Sequence, residues 1–244
     1  MPKGKIQIGT SGWYYPHWQG HFYPGNLPKA KWLRWYSTHF SCVELNNSFY
    51  RLPRKETIRQ WVEQTPDDFI FAVKASRLIT HQKKLRNCKD ALDRFMDTVA
   101  CFENKLGPIL FQLPPHWHIN AERLEIFLEI LPGNTGYAFE FRDATWHDEE
   151  IYHLLSKYGI AFCLFDLAHF RSPEALTSNI IYIRLHGPDD AYCGSYTVGN
   201  LKEWSRKMTN WNAENRLIYL FFDNDQLGYA AENARMIQHL CSEL

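Results

Sequence analysis

The chain carries eight short apolar runs rich in β-branched and aromatic residues, at 6–9, 42–46, 69–75, 109–113, 137–142, 160–166, 180–186 and 217–223. Most are separated by segments whose apolar residues recur every three or four positions, the spacing of one helix face. Leu92, Phe95, Met96, Val99 and Phe102 form such a stripe behind a predicted cap at Asn87. Asn120 is placed to cap a helix facing inward through Leu124, Phe127 and Leu128. Asp148 does the same for Ile151, Leu154, Leu155 and Tyr158, before a stop at Gly159, and the last stripe is Ala230, Ala234, Ile237 and Leu240. Only the link 166–179 is too short for a full helix. Strands that alternate with helices, with no break in composition, predict one α/β domain on a parallel sheet. Eight such units predict a (β/α)8 barrel of TIM type over 1–244, close to the usual size of about 250 residues. An open doubly wound sheet is the second arrangement.

Charged residues sit where such strands should be apolar. Glu140 and Arg142 are two apart in YAFEFR, so both project from one face of the strand. An unpaired charge buried there costs several kcal/mol. The conflict is relieved if helices cover the strand and its C-terminal end opens into a polar cleft. The other runs end similarly: Glu44 and Asn46, Lys74, Gln112, Asp166, Arg184 with His186, and Asp223 followed by Asn224. In a parallel barrel these ends converge on one mouth, where function resides. For each residue taken singly, a salt bridge plugging the barrel is the competing reading.

Arg142 and Arg184 have the planar fork that suits carboxylate or phosphate, and Lys74 adds a point charge. Glu140, flanked by aromatics, is the leading candidate for a general acid or base, and His186 the next. Glu44 and Lys74 complete the candidate catalytic set; Asn46, Gln112, Asp166 and Asn224 are placed to bind substrate. Glu44, Glu140, Asp166 and His186 also form an oxygen-rich set suited to magnesium or manganese. A single histidine at the strand ends disfavours zinc, and no motif demands a cofactor.

The longest irregular stretch, 12–28, holds Trp13, Tyr14, Tyr15, Trp18, Phe22 and Tyr23. A loop this long reads as a lid, with its aromatics mostly packed beneath it and one or two, Trp13 among them, reaching a ligand. The GTSG turn before it is a weak anion-binding signal. His81 is expected to be a solvent-exposed loop residue.

Composition narrows the partners. Lys plus Arg and Asp plus Glu each number 27, so the formal charge is zero, which argues against a broad nucleic-acid or anionic-membrane surface. No apolar stretch has membrane-spanning length and no signal-peptide core follows Met1, so a cytoplasmic protein is expected. The six cysteines lack metal-ligand spacing and read as reduced, buried thiols. No sequence feature specifies an oligomeric partner.

GTSGWYYPHWQGHFYP, VELNNSFYRLP, FAVKASRLITH, GPILFQLPP, the Glu140/Arg142 strand, RLHG and FFDND together resemble the YecE-like family, a prokaryotic family called domain of unknown function 72. The resemblance spans nearly the whole chain and implies a TIM-type barrel without implying an activity. The family's characteristic residues fall here on Gly9, Ser11, Gly12, Trp13, Glu44, Asn46, Phe49, Tyr50, Lys74, Gln112, Glu140, Arg142, Arg184, His186 and Asn224. Tyr50 thereby joins the substrate-binding set. Asp223 departs from the pattern, which has Asn there. It either changes ligand charge preference or accepts a bond from Arg184.

The expected function is an enzyme of hydrolase or lyase type acting on a small phosphorylated, anionic or sugar-like substrate. The alternative is a non-catalytic ligand-binding or nucleic-acid-interacting barrel. A retaining glycosidase is disfavoured, because strands four and seven end in Gln112 and Arg184/His186 instead of carboxylates. A Schiff-base aldolase is disfavoured because Lys74 has acids available to keep it charged.

Overall fold

The computed structural model describes residues 5–243. In chain order its elements are β1 (Lys5–Thr10), α1 (Trp32–Tyr36), β2 (Cys42–Leu45), α2 (Asn47–Tyr50), α3 (Lys55–Glu63), β3 (Ile70–Lys74), α4 (Lys89–Val99), β4 (Leu106–Leu113) and α5 (Ala121–Glu129). There follow β5 (Tyr137–Phe141), α6 (Glu149–Lys157), β6 (Ala161–Leu167), β7 (Phe170–Arg171), β8 (Ile180–Leu185), α7 (Val198–Ala213), β9 (Leu217–Phe222) and α8 (Tyr229–Ser242). The strands join in the order β1-β9-β8-β6-β5-β4-β3-β2, and a parallel bridge from Ser11 to Glu44 links the two ends of that order. The fold is a single (β/α)8 barrel of TIM type, and all eight expected strands occur. Two compact units can be distinguished in it. The first holds the described residues of Met1–Glu44, Leu164–Ser172 and Asn179–Leu244; the second holds Leu45–Cys163 and Pro173–Ser178.

In the first unit β1, β9 and β8 run parallel and in unbroken register, with Gly9 and Arg184 both opposite Phe221. A β-carbon at Gly9 would lie 2.2 Å from the Cys42 carbonyl oxygen, so only glycine lets β1 and β2 come this close. The Tyr36 hydroxyl spans the same gap, accepting from Thr10 N at 2.9 Å and donating to Cys42 O at 3.1 Å. The short link after β6 forms no helix. It is an antiparallel hairpin that places Arg171 opposite Asp166. Its two loop residues, Ala168 and His169, both have left-handed backbone, at φ 47° and 67°. A turn of that kind matches strand twist but favours Asn and Gly.

In the second unit β3, β4 and β5 are parallel, and a bulge at Gly107-Pro108 sets Phe71 opposite Leu106 but Val73 opposite Ile109. One face of β4 and β5 carries a ladder of rings: Phe111 on Phe139 at 5.1 Å, Phe139 on Phe141 at 6.0 Å and Phe141 on Trp146 at 5.0 Å. Asn120 and Asp148 cap α5 and α6 as their spacing predicts, accepting from Arg123 N at 2.9 Å and Glu150 N at 2.8 Å. The Asn87 cap is corrected: Cys88 holds the cap position of α4, and Asn87 has a left-handed φ of 49°. All six thiols are free, with Cys42, Cys88 and Cys163 buried. Among the described residues no helix is long and apolar enough to cross a membrane.

Two substitutions test the packing. Gly9→Ala forces β1 and β2 apart and is expected to cost about 2–4 kcal/mol, a fall in Tm of roughly 5–15 °C, whereas Gly133→Ala, with open space around it, changes Tm by no more than about 2 °C. In the hairpin, His169→Gly relieves a left-handed φ and should raise stability by about 0.5–1 kcal/mol. Thermal unfolding of each variant reads both effects.

Candidate functional site

Alternation along β8 sets Ile181, Ile183 and Leu185 on one face, and Tyr182, Arg184 and, just past the strand end, His186 on the other. Asp223 follows β9, the partner of β8, and Glu44 comes from β2. The Arg184 guanidinium lies between the two carboxylates: Nη2 is 2.7 Å from Glu44 Oε1 and 3.0 Å from Asp223 Oδ2, and Nε is 3.2 Å from Glu44 Oε1. Glu44 also accepts from Ser11 Oγ at 2.7 Å and from the Tyr182 hydroxyl at 2.6 Å. Glu44, Arg184 and His186 have no exposed surface, while the Asp223 side chain is 14% exposed.

His186 Nδ1 is 3.0 Å from Asp223 Oδ2, and its Nε2 is 3.3 Å from Arg184 Nη1. A guanidinium nitrogen can only donate, so Nε2 accepts there and Nδ1 carries the hydrogen that Asp223 receives. Asp223 thus accepts from both Arg184 and His186. Asp166, further along the same unit, accepts from Arg171 Nε at 3.0 Å; burial raises its pKa against the pull of Arg171. Asn224 is buried. Its Nδ2 donates to Gly194 O and Asn233 Oδ1, each at 2.9 Å, and its Oδ1 has no hydrogen-bond partner among the described residues.

The aromatic loop 12–28 is pinned within this unit. Trp18 Nε1 donates to Asp225 Oδ1 at 2.6 Å, His17 Nε2 is 3.0 Å from Asp225 Oδ2, and the Tyr15 hydroxyl donates to Ser11 O at 2.5 Å. Tyr23 stacks on Trp32 at 4.7 Å and donates to the carbonyl of the buried Trp13 at 2.5 Å. Burial, with a further push from Asp223, lifts Asp225 to about 6 although Trp18 and His17 oppose it. Burial also raises Tyr15, with Asp223, Asp225 and Glu44 adding to the effect.

The remaining candidates belong to the second unit. Glu140 is buried and ion-paired with Arg142, and its register partner is Gln112. The neighbouring phenylalanines, Phe139 and Phe141, point to the opposite face of β5 and belong to the ring ladder, so they do not wall Glu140 directly. Lys74 Nζ lies 4.5 Å from the centre of the Phe49 ring. Asn46 Oδ1 is buried without a hydrogen-bond partner among the described residues. Tyr50 is exposed, in a cleft of about 640 Å³ shared with Asn47, Arg51, Arg54 and Trp61. His81, expected in solvent, is half-buried instead, its ring edge-on to Phe49.

Among the described residues no group of three or more His, Cys, Asp or Glu side chains is placed to hold a metal ion. The magnesium or manganese set read from Glu44, Glu140, Asp166 and His186 therefore does not fit. Glu44 accepts four hydrogen bonds, and Asp166 is held by Arg171. Tyr182 was not legible as a site residue. Its hydroxyl stands out only once the partner 138 positions away is known.

A family model described as "Protein of unknown function DUF72" matches residues 7–243. The chain is 27% identical to UPF0759 protein YecE of Escherichia coli (strain K12), across 93% of the chain and 89% of that protein. It is 26% identical to UPF0759 protein YunF of Bacillus subtilis (strain 168), across 96% and 94%. A crystal structure of a DUF72 family protein from Thermotoga maritima superposes with a TM-score of 0.89 at 28% identity, covering 97% of this chain and 99% of that one. A DUF72 family protein from Enterococcus faecalis shares the fold, with a TM-score of 0.83 at 18% identity, over 98% and 96%.

Removing one member of the buried ion pair should be costly. Arg184→Met leaves Glu44 buried without its charge partner and is expected to cost about 3–5 kcal/mol, while Glu44→Leu combined with Arg184→Met recovers much of that in thermal unfolding. Asp225 gives a pH signature of its own. Its folded pKa lies above the unfolded value, so the folded state holds a proton more tightly, and stability falls as pH rises from about 4 to about 6. Asp225→Asn keeps an acceptor for Trp18, and should flatten that slope and raise stability at neutral pH by on the order of 2 kcal/mol, read from Tm at a series of pH values.

Proposed function

The chain belongs to the DUF72 family of proteins of unknown function, and from that premise we propose that it is an acid–base enzyme, of hydrolase or lyase type, acting on a small anionic or hydroxyl-rich substrate. The observation that carries the reading is the His186–Asp223 pair, a wholly buried imidazole at a strand end whose Nδ1 is held 3.0 Å from a carboxylate. A carboxylate so placed fixes the tautomer and stabilises the imidazolium formed when the ring takes a proton. The reacting atom is then Nε2. Its resting contact with Arg184 is long, at 3.3 Å, and an anionic group that engages Arg184 would release it. Glu44 holds the guanidinium in position. The loop 12–28 serves as the lid, with His17 and Trp18 on Asp225 as its latch.

At the β3 and β5 strand ends, Glu140 is the second proton-transfer candidate, Arg142 the guanidinium it holds, and Lys74 a point charge. Asn46, Gln112, Asp166, Asn224, Trp13 and Tyr50 are proposed as substrate contacts, and a cytoplasmic location belongs to the same proposal. One observation favours the alternative of a non-catalytic binding barrel: Glu44 and Arg184 satisfy one another without any ligand, as a structural plug would.

A substrate screen on wild type, His186→Gln and Asp223→Asn separates the readings. The enzyme reading expects turnover that falls by roughly a hundredfold or more in both variants, with substrate binding kept within about tenfold. Ligand binding without turnover in the wild type would leave the non-catalytic barrel as the better account.

A further inference from the structure

Residues of α2, of the link that follows it and of α3 line an open cleft of about 640 Å³, within the size range of small-molecule sites. Two rings furnish it. Tyr50 is 74% exposed, with its ring perpendicular to the buried Phe49 at 5.0 Å, and Trp61 is stacked over Phe102 at 6.5 Å. Each ring is thus backed by a core phenylalanine, which steadies it before a ligand arrives. Two guanidinium side chains, Arg51 and Arg54, line the same cleft, and no lining residue is acidic.

Stability does not account for these arginines. Arg54 occupies the cap position of α3, where it gives the helix no side-chain hydrogen bond, and Lys55 follows as the first helical residue. A helix start carries partial positive charge, so cations are unfavourable there and serine, threonine or aspartate is the usual cap. The nearby acids are engaged elsewhere: Asp97 meets Lys55 at 2.7 Å, and Glu56 lies 3.8 Å from Arg59. Arg51 and Arg54 are exposed and have no ion-pair partner among the described residues. An anion in the cleft would answer both guanidinium groups and the uncapped amides of the helix start together. Guanidinium forks match phosphate oxygens, and flat rings take the face of a base. An acidic peptide would meet the arginines but leave the rings without a use.

We propose that this cleft binds a nucleoside monophosphate, with the phosphate held by Arg51 and Arg54 and the base laid against Tyr50 and Trp61. Asn47 and Thr57, in the same cleft, supply an amide and a hydroxyl for the polar edge of the base and the ribose. The site lies wholly in the second unit and does not rest on the His186–Asp223 reading.

The test is isothermal titration of the full chain with AMP to about 5 mM, with adenosine and inorganic phosphate as separate probes at matched ionic strength. The expected result is saturable AMP binding at least about tenfold tighter than that of either fragment. Tyr50→Ala removes an exposed ring, so it should keep the parental Tm and weaken AMP binding by about fivefold or more. Arg54→Ser installs a favoured cap and removes a cation. Without ligand it should raise Tm by about 2–4 °C, and it should weaken AMP binding by about fivefold or more. An arginine with only a structural role would show a fall in Tm and no change in affinity. Absence of AMP binding, AMP binding no tighter than that of adenosine or phosphate, or parental AMP affinity in both variants would overturn the proposal. So would AMP affinity lost in His186→Gln but kept in Arg54→Ser, a result that would leave the acid–base reading intact.

Discussion

The buried contact between Glu44 and Arg184 is the interaction on which the first unit depends. Removing both charges from water is unfavourable, and their mutual attraction compensates only if the remaining donors and acceptors are also met. Here they are met from four directions. Ser11 approaches from the end of β1, Tyr182 and Arg184 from β8, Asp223 from the end of β9, and Glu44 itself from β2. Side chains of β2 and β8 touch although β6, β5, β4 and β3 lie between them in the sheet order, which requires the sheet to curl. The ion pair is thus a product of closure and also a restraint upon it. The same restraint orients His186, because the arginine that Glu44 holds in place faces the imidazole nitrogen opposite Asp223.

The second unit handles charge differently. On β5 the aromatic face is committed to a ring ladder, and the other face carries Glu140 toward Arg142. The carboxylate is buried, and Phe139 and Phe141 alternate to the face opposite it. Beside β3, one phenylalanine faces an ammonium on one hand and an imidazole on the other. A quadrupolar ring tolerates a cation on its face, so Phe49 can face Lys74 on one side and His81 on another.

Much of the architecture was legible in the sequence, because strands buried on both faces are written as continuous apolar runs. The boundary of β4 was missed at Gly107-Pro108, which looks like a break. The strand absorbs both residues in a bulge, where the missing proline N–H interrupts little. The strand-end residues were legible through their two-residue spacing, as with Arg184 and His186. Their partners were not. Nothing local to Tyr182 announces a glutamate 138 positions away, and whether Asp223 would meet Arg184, His186 or a ligand depends on tertiary placement. His81 was misplaced for a related reason: a π-helical turn followed by left-handed residues leaves no periodic mark, so a half-buried ring reads as an exposed loop.

The alternation on β8 has a bearing on how the strand finds its place. Both of its faces are buried, so apolar content alone does not distinguish one register from the next. A slip by a single residue would turn Ile183 and Leu185 toward Glu44 and drive Arg184 and His186 in among the helix-facing apolar groups. Each stranded charge would cost several kcal/mol, far more than a misplaced methyl group. The polar face of β8 therefore acts as an alignment key during folding. The residues that give the strand end its chemistry also exclude the neighbouring, chemically silent pairings.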